Sequence, residues 1–178
     1  MEFYELLDAR PVEAARATFD DLYAYHGDLL PGEHPFGKRY ARRFVTMQID
    51  PGTLLRQLTA DFHLAGGRII IRYFENLSNV LSLPEPVIFN CTGLGAAALF
   101  NDPNLVPSKG QLVFLPPDPA VDYMTSAGDE QGFLHMFPRR DVLLLGGLVR
   151  IGDSSRNIET DETERIVQGH IELFDSFG

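Results

Sequence analysis

The sequence predicts an α/β (α+β) protein, with a partial Rossmann-like segment followed by an antiparallel sheet and a packing C-terminal helix. Two observations support this fold class. The middle of the chain has the order helix, strand, short crossover, strand, turn and helix, which is typical of α/β folds. After residue 102, four strand-like runs follow one another with short connections rich in Pro, Gly and Asp, as in antiparallel sheets.

The amino-terminal 50 residues read as a helix followed by a linker. Residues 11–26 have helical periodicity that reaches His26, and Pro11 suits the first helical position. Residues 27–37 have Pro and Gly near both ends and predict a loop. A short strand is expected at 43–49.

The middle segment, residues 51–102, carries the α/β pattern. Asp50 caps a helix that starts at Pro51 and stops at Gly66-Gly67, with apolar residues on one face. Further elements are expected as follows: a strand at 68–74, a short helix at 77–81, a strand at 87–90, a turn at 91–95 and a helix through Leu99.

The last segment, residues 103–178, carries the antiparallel pattern. Strands are expected at 110–115, 121–125, 133–137 and 142–150. A final helix is expected from about 160 to 177, where Asp161 and Glu164 have capping-box spacing. Its predicted buried stripe consists of Ile166, His170, Leu173, Phe174 and Phe177.

Composition limits the function classes. The 178 residues are 44% hydrophobic and carry a formal net charge of −10, which argues against nucleic acid as a partner. Cys91 is the single cysteine, so we expect no intrachain disulfide and a reducing compartment. No stretch has the length of a membrane span and the first residues do not resemble a signal peptide, so a cytoplasmic location is expected.

The most distinctive local pattern lies at the turn after residue 90. Gly93, Gly95 and Ala98 match the G-x-G-x-x-G/A spacing, in which glycines let the backbone approach a phosphate at a helix start. The acidic residue expected about 20 positions later is not evident. From these residues alone, a tight strand-to-helix turn and a dinucleotide site both remain open.

A wider set of motifs resembles one family. The runs Asn90-Cys91-Thr92-Gly93, Asp102-Pro103 and Lys109-Gly110-Gln111 are similar to those of the D-amino-acid oxidase family of flavoproteins, and the likeness extends to Leu144-Leu145-Gly146-Gly147 and Gly152-Asp153. It covers residues 33–174 in family order. The resemblance implies that 51–102 is a partial FAD-binding segment and 103–178 a substrate (cap) domain. Residues 1–50 would then lead in from a missing half of the FAD domain.

The resemblance also assigns candidate site residues. Phe74, Cys91, Thr92 and Gly93 would line FAD, with Thr92 the strongest candidate because its hydroxyl and amide can both hydrogen-bond. Cys91 is also expected to be an inert, core-filling residue. The substrate-binding candidates are His135, which occupies a position where relatives often carry a tyrosine, and Tyr123.

The function implied by the resemblance is FAD-dependent oxidative deamination of a D-amino acid to a 2-oxo acid, with release of ammonia and hydrogen peroxide. The cofactor would supply the chemistry and the protein the orientation. Two alternatives stay open: a non-catalytic remnant or a subunit that needs a partner chain, and an NAD(P)-binding module built on the Gly93 turn. The expected partners are the D-amino acid and either the missing amino-terminal half or a second copy in a homo-oligomer.

Overall fold

The computed structural model describes residues 1–11, 23–36, 39–129 and 132–175. The chain divides into two compact units. The first contains Met1–Asp50, Gly110–Val149 and Arg156–Gly178, and the second contains Pro51–Lys109 and Arg150–Ser155. The amino-terminal 50 residues thus group with the antiparallel segment, whereas the resemblance implies a helix and linker that lead in from a missing half of the FAD domain.

The first unit is built on a seven-stranded mixed sheet with the strand order β2-β3-β1-β6-β7-β8-β5. β1 and β6 are parallel, and the other neighbouring strands are antiparallel. The strands are β1 (Glu2–Leu7), β2 (Tyr25–Leu29), β3 (Tyr40–Val45), β5 (Leu112–Leu115), β6 (Tyr123–Asp129), β7 (Gly132–Pro138) and β8 (Leu143–Gly146). In the strand register of this sheet, His135 of β7 lies opposite Ser126 of β6 and Gly146 of β8.

Helix α4 (Thr160–Asp175) covers one face of this sheet. Of the predicted buried stripe, Ile166, His170 and Leu173 are buried and Phe174 is half-buried, while Phe177 lies outside the described residues. Ile166 packs with Met136 and Leu145, and Leu173 packs with a cluster that includes Leu6. Burying each such aliphatic side chain contributes about 1.5–3 kcal/mol, so this contact is a main source of the unit's stability.

Gln111 fixes the start of α4. Its side-chain Nε2 donates to the Glu159 carbonyl and to the Thr163 hydroxyl, both at 2.8 Å, and its Oε1 accepts from the Glu159 amide at 2.9 Å. The first amides of a helix have no intrahelical partner, so a buried glutamine at this position satisfies groups that would otherwise lose hydrogen bonds.

The second unit contains α1 (Pro51–Leu64), α2 (Leu77–Leu81), α3 (Gly95–Phe100) and a short antiparallel pair, β4 (Ser108–Lys109) with β9 (Arg150–Ile151). None of these three helices has a buried residue. Residues 68–74 and 87–90, predicted as strands, pair with no other strand of the described chain. Ile71 is 100% exposed and Phe89 is 87% exposed.

Helices α1 to α4 and strands β5 to β8 confirm the corresponding predictions within a few residues. The predicted helix at 11–26 falls largely outside the described residues, and His26 at its end lies in β2. β2 also replaces the start of the loop expected at 27–37. β1 was not predicted, since its parallel neighbour β6 lies more than a hundred residues along the chain.

Candidate functional site

His135 lies at the middle of β7 with its ring on the face of the sheet opposite α4. Along β7, Leu134, Met136 and Pro138 are buried, and Met136 packs with Ile166 of α4. Because side chains alternate along a strand, Phe133 and Phe137 share the other face with His135. We call this second face of the seven-stranded sheet the open face.

The backbone of β8 leaves room for the His135 ring. Gly146 lies directly across from His135, and a Cβ atom at Gly146 would overlap the imidazole Cε1 and Nε2 atoms. It would also lie 2.9 Å from Cδ2 of Leu112. The imidazole therefore packs over the Gly146 backbone, and a residue with a side chain there would have to displace it.

Aromatic rings continue across the open face from His135. The ring centroid of His135 lies 4.9 Å from that of Phe137 and 5.2 Å from that of Phe133. The ring centroids of Phe137 and Phe3 are 6.5 Å apart. Phe3 is followed by Phe44 at 5.9 Å. These separations are those of favourable aromatic pairs, so the face presents an apolar row with His135 as its polar member.

The surroundings of His135 favour its neutral form. Burial lowers its pKa from the ordinary value, and repulsion from His170, which acts when both rings are protonated, lowers it further. Its Nδ1 is buried and has no hydrogen-bond partner among the described residues. A neutral imidazole has one N–H donor and one nitrogen acceptor, so it can bind a polar ligand group without bringing a net charge.

His170 of α4 supports the backbone of β7 from the opposite face. Its Nε2 lies 3.2 Å from the His135 carbonyl oxygen and its Nδ1 lies 2.7 Å from the Ile166 carbonyl oxygen. Burial lowers the pKa of His170, whereas the two carbonyls raise it and Arg165 lowers it. Burial is the largest of these effects, and a neutral ring donates to one of the two carbonyls only.

Tyr123 faces the side of the sheet that carries α4. Its ring makes edge contacts with Phe36 at 5.4 Å and Tyr4 at 6.1 Å, and burial raises the pKa of its hydroxyl. It lines an apolar cavity of about 370 Å³ together with residues of α4 such as Phe174. The structure thus places the two predicted substrate residues, His135 and Tyr123, on opposite faces of one sheet.

The four predicted cofactor residues lie in the second unit. Phe74 is half-buried, with the guanidinium of Arg72 5.3 Å from its ring centroid. Cys91, Thr92 and Gly93 are all exposed. The prediction that Cys91 fills a core is wrong, because the segment 87–90 that precedes it has no covering partner in the described chain.

The turn after residue 90 is ordered by its own side chains. The Asn90 side-chain oxygen accepts from the Thr92 amide at 3.2 Å and from the Thr92 hydroxyl at 2.7 Å. Gly93 has φ +56°, and no atom lies within 4 Å of the position where its Cβ would be. These residues fit FAD as one edge of a site, since the exposed Thr92 and the uncovered Gly93 leave space for a bulky nucleotide.

Two motif residues without a predicted role are structural. Lys109 is buried, and its Nζ donates to the Ser155 hydroxyl at 2.9 Å and lies 3.7 Å from an Asp153 carboxylate oxygen. The Ser155 amide donates to Asp153 at 2.7 Å. Hydrogen bonds from Ser155 lower the pKa of Asp153, with a smaller effect from Lys109. The run Lys109-Gly110-Gln111 thus anchors β9 through Lys109 and α4 through Gln111.

Comparison with known proteins identifies the family. The family described as DAO, FAD dependent oxidoreductase, matches residues 9–178. The chain therefore belongs to this family of FAD-dependent oxidoreductases, and FAD is the cofactor of the family.

Three relatives that the chain matches are D-amino-acid oxidases. The D-amino-acid oxidase of Streptomyces coelicolor is 36% identical over 161 residues, which cover 83% of this chain and 49% of the relative. That of Dugesia ryukyuensis is 26% identical over 95% of this chain and 50% of the relative. That of Dictyostelium discoideum is 28% identical over 79% of this chain and 39% of the relative. The chain spans about half the length of the relatives it matches.

The described part of the chain shows neither a metal-binding cluster nor a membrane-spanning helix. It contains no group of three or more His, Cys, Asp or Glu side chains arranged to hold a metal ion. None of its helices combines the length and the apolar character needed to cross a membrane.

Proposed function

We propose that the chain is the substrate-side part of an oxidase that converts D-amino acids to 2-oxo acids. The balanced reaction consumes the amino acid, oxygen and water, and yields the 2-oxo acid, ammonia and hydrogen peroxide. The observation that carries the proposal is the open face, where a neutral His135 lies within a row of phenylalanines. The family match and the D-amino-acid oxidase relatives support the same reaction.

In this proposal the cofactor and the protein have separate tasks. Bound FAD supplies the two-electron oxidation. The exposed turn at Thr92 and Gly93, with Phe74, contributes to a Rossmann-like site for the nucleotide part of FAD. His135 donates its single N–H to a substrate carboxylate oxygen, and Phe133 and Phe137 pack against the substrate side chain and exclude water.

The neutral state of His135 matters for this role. Burial lowers the pKa of the imidazole, so His135 itself adds no positive charge beside the substrate ammonium group at neutral pH. The neighbouring aromatic rings add no formal charge. The proposed site therefore suits a neutral D-amino acid whose carboxylate is bound by hydrogen bonds.

A flavin titration followed by a peroxide assay tests the proposal. The chain, alone and with a polypeptide that completes it, is incubated with FAD and desalted, and an absorbance band at about 450 nm reports bound flavin. Hydrogen peroxide is then measured with D-amino acids and with their L-enantiomers. We expect peroxide from the D-series only. Flavin-loaded protein that oxidises neither series would contradict the proposal.

The two predicted substrate residues supply a matched pair of variants. We expect His135→Leu to lower kcat/KM by about tenfold or more, because a hydrogen bond to a charged group contributes about 1.5–3 kcal/mol. Tyr123→Phe, on the opposite face of the sheet, is expected to leave kcat/KM within about twofold. Equal losses in both variants would show that His135 has no specific role.

A further inference from the structure

We propose that Glu5 and Ser126 recognise the substrate side chain, and that the site takes D-amino acids whose long, neutral side chain ends in a primary amide, as in D-glutamine. This inference rests on the proposed function, because it takes the substrate carboxylate to be bound at His135. Glu5 and Ser126 determine specificity and take no part in the chemistry of the oxidation.

A row of polar residues runs in register across five neighbouring strands of the seven-stranded sheet. Asp28 of β2 lies opposite Arg42 of β3, which lies opposite Glu5 of β1. Glu5 also lies opposite Ser126 of β6, which lies opposite His135 of β7. We call these five residues the polar row. The imidazole that binds the substrate carboxylate is thus one end of a continuous polar line across the sheet.

The polar row lies on the open face. Leu6 and Ala127 are buried in one cluster with Leu173 of α4. They directly follow Glu5 and Ser126 in the sequence. Because side chains alternate along a strand, Glu5 and Ser126 face the other side of the sheet, which is the open face. Both residues therefore share a face with the imidazole.

Glu5 and Ser126 have hydrogen-bonding capacity that the described chain does not use. The Glu5 carboxylate is half-buried, and no described residue donates a hydrogen bond to it or forms an ion pair with it. Ser126 is 8% exposed, and its hydroxyl has no partner among the described residues either. A carboxylate accepts hydrogen bonds, and a hydroxyl donates one. Together they can bind the N–H and the C=O of a single amide group.

Strand spacing sets the length of the side chain. Neighbouring strands lie about 4.8 Å apart, so the backbone of Glu5 lies about 10 Å from that of His135. The His135 ring packs over Gly146 and so leans away from Ser126. Gly128, two residues along β6 from Ser126, has no atom within 4 Å of an added Cβ, which leaves room above the strand. A substrate held at the imidazole therefore needs a side chain of several atoms to reach the carboxylate.

Arg42 favours an amide over a cation beside Glu5. It lies opposite Glu5 on β3, and its Nε donates to Asp28 at 2.8 Å. A substrate ammonium group at Glu5 would approach this guanidinium, whereas a neutral amide is not repelled. An ammonium group also has no acceptor for the Ser126 hydroxyl. An aliphatic side chain of the same length would leave the half-buried carboxylate without a donor.

Two substrates of similar length test the inference. D-glutamine and D-methionine differ in that only the amide donates a hydrogen bond. With the flavin-loaded protein, we expect kcat/KM from peroxide release to be about tenfold or more higher for D-glutamine. Glu5→Met should lower the ratio of the two kcat/KM values about tenfold, and Ser126→Ala should lower it about threefold or more. The ratio does not depend on how much of each variant is folded.

The control is Glu164→Met, which makes the same change at an exposed position of α4 and should leave the ratio within about twofold. The inference is overturned if the unchanged protein prefers D-methionine, or if Glu5→Met leaves the ratio within about twofold. A preference for D-lysine over D-glutamine also overturns it, because the carboxylate would then select a cation.

Binding without turnover separates this inference from the proposed function. The amide NMR signals of Glu5 and Ser126 report binding of each D-amino acid to the same protein. Tighter binding of D-glutamine that Glu5→Met abolishes, without peroxide formation, would support the inference and contradict the proposed function. Equal peroxide formation from D-glutamine and D-methionine would support the proposed function and overturn the inference.

Discussion

Apolar residues differ in solvent exposure between the two units. In the first unit, Leu6 and Ile166 are 1% and 0% exposed, whereas Ile71 in the second is fully exposed. Both units contain apolar runs of the kind that folded proteins bury. The first unit supplies its own neighbours, because seven strands and α4 cover one another. The second has helices without buried residues. The difference shows that a pattern identifies residues suited to burial, while the partner determines whether burial occurs.

Truncation of apolar residues should change the free energy of unfolding very differently in the two units. Ile166→Ala removes a buried side chain and is expected to lower the free energy of unfolding by about 3 kcal/mol. Ile71→Ala removes an exposed one and should change it by less than about 0.5 kcal/mol. Urea unfolding followed by circular dichroism measures both. Equal losses would mean that Ile71 is packed in the chain as it exists.

Loss of the Gln111 side-chain bonds should give the next largest effect. Gln111→Leu keeps the volume and removes three hydrogen bonds at the start of α4, two of them to the backbone of Glu159. We expect a loss of about 1–2 kcal/mol, because the Glu159 amide and the Thr163 hydroxyl lose their bonds to Gln111, whereas the Glu159 carbonyl still accepts from the Thr163 amide. Urea unfolding and amide exchange at the first turn of α4 check this prediction. Unchanged exchange there would contradict it.

Gly146→Ala tests the open face directly. The new methyl group would collide with the His135 ring, so we expect a loss of about 1–2 kcal/mol in unfolding free energy and a shifted His135 ring signal by NMR. Gly128→Ala is the matched control, as no atom lies within 4 Å of its added Cβ in the same sheet. A His135 signal that moves equally in both variants would disprove the packing described.

The pH dependence of stability should show a smaller effect. Burial lowers the pKa of both His135 and His170 in the folded chain. Protonation therefore favours the unfolded chain, so this contribution is fully present above the unfolded pKa of about 6.5 and is lost as pH falls through the lowered folded values. We expect the unfolding free energy to decline more steeply below about pH 6.5 in the unchanged chain than in His170→Gln. Parallel pH profiles would refute this assignment.

Local patterns predicted α1 to α4 and β5 to β8 but missed β1, β2 and the contacts between distant parts of the chain. Alternation placed β7 and hence His135, and capping residues placed α1 close to its observed bounds. No local signal pairs β1 with β6, because that parallel contact joins segments far apart in sequence. The local sequence also did not indicate why Gly146 is a glycine, because the reason is the His135 ring, which comes from the neighbouring strand. Cys91 was predicted to be an inert core residue because nothing nearby in the sequence would activate its thiolate, but it is exposed, and residues 87–90 pair with no strand of the described chain.

Hydrogen exchange on the chain alone tests the difference between the two units most directly. Amides of β6, β7 and β8 lie in a paired sheet and should exchange at least about a hundredfold more slowly than an unfolded chain. Amides at 69–73 and 87–89 pair with no strand of the described chain and should exchange within about tenfold of the unfolded rate. Strong protection of 69–73 and 87–89 in the monomeric chain would contradict the account, because those segments would already have their strand partners.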